Sequence, residues 1–82
     1  MTQTTIDRRA KVAAEFRAEL ARQSILVPEL VRGLAKAGTP ISAATLYRRL
    51  SGELPFYFWE LEAIASFLGR PLTQFTEASD AA

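Results

Sequence analysis

The tightest constraint on the fold of this chain is the stretch Pro40 to Gly52, PISAATLYRRLSG, because it spells out a helix together with both of its ends. Ser42 is placed to accept a hydrogen bond from the free N–H groups of the turn that follows, and Ile41 before it is spaced to pack on Leu46. Gly52 suits the left-handed conformation that commonly closes a helix. These signals predict a helix over 43–51. At roughly 100° per residue, Leu46 and Leu50 share one face, while Ala44, Tyr47, Arg48 and Ser51 cluster on the opposite one. One side is anchored and the other presented. The presented side begins with two alanines, which admit close approach of a partner, and continues with a tyrosine and an arginine. A helix that reads a DNA major groove is built this way.

The remaining apolar residues recur at helical spacing. Val12, Ala13, Phe16 and Leu20 mark one face of a first helix from about Ile6 to Arg22, along whose flank Lys11, Glu15, Glu19 and Arg22 alternate in sign. Pro28 suits the first turn of a second helix, whose stripe is Leu30, Val31 and Leu34. Gly33 in mid-helix costs about 1 kcal/mol relative to alanine, which suggests that another backbone crosses there closely. Gly38 and Pro40 bound a turn, and Leu61, Ile64, Ala65 and Leu68 mark a helix over 58–68, with Phe58 and Tyr57 expected to follow them inward. The pattern predicts one compact all-α domain of four to five helices over 6–76, with the paired helices at 28–51 and flexible ends at 1–5 and 77–82.

Composition narrows the function. With no cysteine and no histidine there is no disulfide framework, no usual zinc site and no histidine general base. The nine carboxylates show no catalytic pairing or metal-ligand spacing, and the four glycines form no phosphate-cradling loop. Neither an enzyme nor a cofactor is expected. No apolar run of about 18 residues exists and no leader-like head is present, so a cytoplasmic protein without membrane or small-molecule partners is expected. The net charge of +1 conceals a division: residues 1–23 carry +2, residues 24–56 carry +2 and residues 57–82 carry −3. A polyanion would be drawn to one end, the plainer alternative being ordinary solvated charge.

The ordered combination from Ser24 to Thr76 resembles the helix-turn-helix domain of the lambda repressor and Cro superfamily. The residues that carry it are LYRRLSGE at the end of the reading helix, a Pro-containing link, Leu61, Ile64, Ala65, Leu68 and Gly69 in the pattern L-x-x-I-A-x-x-L-G, and PLTQF opening a fifth helix. One departure stands out: Gly33 and Leu46 are thirteen positions apart where the commonest form has about ten, so the AKAGTP turn is extended, as in some actinobacterial members. The extension falls at the corner that carries Lys36 and Thr39.

The resemblance implies a Cro-type or immunity repressor, or a compact bacterial regulator, that binds double-stranded operator DNA in the cytoplasm, at the nucleoid. Base edges would meet Ala43, Ala44, Thr45, Tyr47 and Arg48. Arg48 is placed to donate two hydrogen bonds to a guanine, worth about 1 to 3 kcal/mol of discrimination, with phosphate contact or solvent exposure as its alternative. Phosphates would meet Arg8, Lys36, Thr39, Ser42, Arg49 and Ser51. Ala43 and Ala44 make the code thin, so specificity leans on deformability and on paired half-sites. A second apolar stripe, Trp59, Ala63 and Phe67, lies opposite the core face of the fourth helix. Either Leu72 and Phe75 cover it, or it is a homodimer interface matching a symmetric operator. The rival function is a protein-interaction module, an adaptor or antitoxin, docking through that stripe.

Overall fold

Pro, Gly and short polar caps set the joints of the chain, and helices fill the intervals. The computed structural model describes the backbone of residues 2–80 and the side chains of residues 10–76. Among these residues there are five helices and no strand: α1 Thr2–Arg22, α2 Val27–Lys36, α3 Ala43–Leu50, α4 Phe58–Leu68 and α5 Thr73–Asp80. The side chains of Arg8 and Arg9, like those of the two expected flexible ends, lie outside the described residues. The Cα radius of gyration is 12.0 Å. A compact chain of this length has about 12 Å.

Each interior helix is started by a local hydrogen bond. The Leu26 N–H donates to the Glu29 carboxylate at 2.9 Å, the Thr45 N–H to Ser42 Oγ at 3.2 Å and the Tyr57 N–H to the Glu60 carboxylate at 2.8 Å. Ser42 is thus the cap that the sequence signals. At the other end of α3, Gly52 adopts φ +87°, which lets the chain reverse after Ser51. Ser24, between α1 and α2, is the one non-glycine among the described residues with positive φ, at 57°.

α1 packs on α5 and α3, and α2 packs on α3 and α4. Phe16, Leu30, Leu34, Leu46, Ile64 and Phe75 are wholly enclosed at the centre. Each contributes roughly 1.5 to 3 kcal/mol by leaving water. Phe16 is the hub: its ring stacks on Phe75 with centroids 4.3 Å apart and meets the edge of Phe56 at 5.1 Å.

This hub corrects one expectation. Phe56, arriving from the α3–α4 link, takes the place beside Phe16, and α4 starts only after it. Phe58 therefore falls in the first turn, beyond the end of the core, and stands 61% exposed, with Tyr57 at 52%. Gly33 is corrected as well: what lies against it is the Phe67 ring, not a backbone. An added Cβ would sit 2.0 Å from Phe67 Cε1.

Polar groups close the far end of the bundle. Glu19, expected on a solvated flank, is buried, because position i+3 from Phe16 sits at the edge of the apolar face. Its carboxylate accepts from Gln23 at 2.8 Å, from Arg22 at 2.7 and 3.0 Å and from Gln74 of α5 at 2.9 Å. The Gln23 amide also donates to the Leu68 carbonyl at the end of α4, at 2.8 Å. These donors, Gln23 foremost, hold the Glu19 carboxyl down at about 2.

Candidate nucleic-acid interface

α3 is fixed from below and open above. Leu46 and Leu50 are buried, while Ala43, Ala44, Tyr47, Arg48 and Ser51 are exposed and Thr45 is half-buried. Ser42 Oγ, besides accepting from the Thr45 N–H, donates to Thr45 Oγ1 at 3.0 Å. At the C-terminus, Arg17 of α1 donates to the Leu50 carbonyl, and Ser51 Oγ donates to the Arg48 carbonyl at 2.9 Å. Orphan groups at both ends of this short helix therefore have partners, and cations near its negative end suit the helix dipole. The role of Arg17 left no sequence signal, since it depends on α1 and α3 crossing.

The adjacent arginines part company. Arg48 points outward, its side chain 66% exposed, with Nε 3.3 Å from the equally open Glu53 carboxylate. Such an exposed pair holds its partners weakly, at about 0.2 to 1 kcal/mol, and leaves the guanidinium available. Arg49 turns under the helix, its side chain only 11% exposed. Its Nε lies 2.9 Å from a Glu60 carboxylate oxygen, as a charge contact without the alignment of a hydrogen bond, and Nη1 donates to the Pro55 carbonyl at 2.6 Å. The guanidinium carbon sits 4.9 Å from the centre of the Tyr57 ring. The expected phosphate contact from Arg49 is thus replaced by a clamp that joins α3 to the start of α4. Glu60 was missed in sequence although it shares the i, i+4 face with Ile64.

Apart from Arg8, the other expected phosphate ligands lie at the end of α2, in the α2–α3 turn and at the two ends of α3. Lys36 is exposed at the end of α2, Thr39 is half-buried in the α2–α3 turn, and the Ser42 and Ser51 hydroxyls are engaged in the caps just described.

The second apolar stripe of α4 is divided. Ala63 packs against the core and Phe67 lies over Gly33 at 38% exposure, so α2 covers that end. Phe75 covers none of it, being stacked on Phe16, and Leu72 packs against the core. Trp59 remains 58% exposed and stacks face to face on Tyr57 at 4.7 Å. With Phe58, these rings form an aromatic ledge next to the Arg49 clamp.

Among the described residues no acidic cluster is arranged to hold a metal ion, and no helix is long and apolar enough to cross a membrane. The chain matches no protein-family model, no curated protein and no solved structure.

Proposed function

We propose that this five-helix domain has the lambda-repressor-like arrangement and is a sequence-specific, double-stranded DNA-binding transcription regulator of Cro or repressor type, which inserts α3 in the major groove. The observation that carries the reading is the division of labour between the two arginines. Arg49 fixes the helix, and Arg48 stands outward on the exposed face of Ala44, Tyr47 and Ser51, held only by its open ion pair with Glu53. A rigid helix presenting one fork-shaped donor behind two alanines suits direct readout of a guanine. The surplus of positive charge over residues 1–56, the part of the chain that holds α3, favours approach of a polyanion.

The test is selection of bound duplexes from random and genomic fragments, run in parallel with wild type and Arg48→Ala at near-physiological salt. Enrichment of a defined site that the variant loses by about 5- to 150-fold supports readout by Arg48. Equal enrichment by both proteins removes Arg48 from that role, and no enrichment at all removes DNA binding.

The ledge of Tyr57, Phe58 and Trp59 favours a second reading, a protein-interaction module, or a homodimer contact that brings two α3 helices to paired half-sites. Salt separates the two functions: DNA affinity that falls steeply with added salt reports released counterions, whereas docking through the ledge is insensitive to it.

A further inference from the structure

Beside α3, the turn between α1 and α2 leaves an open cleft of about 590 Å³. Ligand sites commonly occupy about 300 to 1,000 Å³. Its floor is Leu20, Ile25, Val27 and Leu50, and Leu26 stands at its mouth 69% exposed. The wall is preformed: the Ile25 N–H donates to the Leu20 carbonyl at 2.9 Å, and Glu29 holds the Leu26 N–H at the same distance. Ser24, next to this wall, is held in the left-handed region. This conformation closes α1, the Ser24 N–H donating to the Ala21 carbonyl at 3.1 Å, and so fixes where Ile25 enters the wall.

Charge defines the occupant. Among the described residues, Arg17 is the one charged side chain that lines the cleft, and the Glu29 carboxylate behind the wall is tied to the Leu26 N–H. One Nη of Arg17 donates to the Leu50 carbonyl; a guanidinium carries five N–H donors in a planar fork, which leaves an edge for a bidentate acid. We propose that the cleft binds a small amphipathic carboxylate, its apolar body lying along Leu20, Ile25 and Val27 and its acid group on Arg17. Tyr47 and Ser51 belong both to the cleft and to the presented face of α3. On the DNA-binding reading given above, the occupant is therefore an effector: it packs against Tyr47, neutralises a cation beside the interface and lowers DNA affinity.

The experiment is a two-dimensional amide NMR titration of the full chain with decanoate, decanol and acetate. Decanoate at about 1 mM shifts the amides of residues 20–28 and 47–51, decanol binds about tenfold or more weakly, and acetate shifts nothing. Leu26→Asp, at an exposed position, sets a like charge at the mouth and abolishes the shifts. Arg17→Gln, which removes the charge and keeps a polar side chain, loses the preference for decanoate over decanol. Equal binding of decanoate and decanol by wild type, shifts confined to Tyr57–Trp59, no shifts at all, or unaltered titration of both variants overturns the proposal. DNA binding is read separately by fluorescence anisotropy. A protein that takes decanoate in the cleft yet binds no duplex keeps the site and loses the regulator reading; one that binds duplex and ignores decanoate does the reverse.

Discussion

Removing the Arg49 guanidinium exposes how α3 is held. In Arg49→Met the Glu60 carboxylate, its side chain 6% exposed, keeps the Tyr57 N–H as a donor but loses its counter-charge. Breaking one side of a buried pair costs about 3 to 5 kcal/mol, because the remaining charge is left in a poor solvent. A domain of this size has about 4 to 12 kcal/mol in total. The variant should therefore melt about 12 to 40 °C lower, and its urea midpoint should fall in proportion. Adding Glu60→Gln removes the stranded charge while the amide oxygen still accepts from Tyr57. The double variant should then sit within about 1 to 2 kcal/mol of wild type. Urea titrations followed by far-ultraviolet circular dichroism give all the free energies of the cycle. The clamp is refuted if Arg49→Met lies within about 1 kcal/mol of wild type, or if the double variant is no more stable than the single one. DNA supplies a second readout at temperatures where the variants are folded. A phosphate ligand lost from the interface would flatten the slope of log K against log salt by about 0.9, whereas loss of the clamp leaves it unchanged.

Gly33→Ala gains up to about 1 kcal/mol of helix propensity but drives the Phe67 ring off α2; it should destabilise by about 1 to 2 kcal/mol, and pairing it with Phe67→Ala should make the alanine at 33 favourable, as a thermal-melt cycle would show. The Glu19 carboxyl, lowered in the fold to about 2, contributes stability that is complete above its ordinary value of 4.5 and drains away as pH falls toward 2. Glu19→Gln should accordingly flatten the acid limb of a stability–pH curve between those values, and an unchanged limb would assign acid sensitivity elsewhere. If the ledge joins two copies, Trp59→Ala should lower the sedimentation mass at high micromolar concentration, with little effect on the melting temperature because Trp59 covers no core residue; a monomeric wild type would remove the dimer.

The interior helices were legible in the sequence because they carry their own punctuation, whereas α1, expected from about Ile6, begins at Thr2 without a capping signal. Ser42, Pro28 and Gly52 act within a turn of where they stand, and the stripes of α1, α2 and α3 are regular enough to name their buried residues. The aromatic run at 56–59 was not legible in the same way. Four large rings in a row give periodicity nothing to choose from, and the choice of Phe56 over Phe58 is made by the position of Phe16, forty residues away in sequence. The two arginines show the same limit at the candidate interface. Arg49 was expected to meet phosphate, and only the arrival of Glu60 and the Pro55 carbonyl turns it into a fastening. Glu19 and Glu60 hide for a common reason: a carboxylate on the edge of an apolar face reads as solvated until the donors of another helix close over it.

The stack of Phe16 on Phe75 bears on how the chain is made. α2 and α3 complete their contact from neighbouring sequence, so that pair can assemble early in synthesis. Phe16, however, is translated within the first quarter of these 82 residues and must wait for α5 before its second ring face is covered. Until then an aromatic surface stays wet on the nascent chain, open to chaperones and to neighbouring chains on the same message. A chain cut before α5 would therefore leave the Phe16 ring without its Phe75 cover even where α2 and α3 have already met.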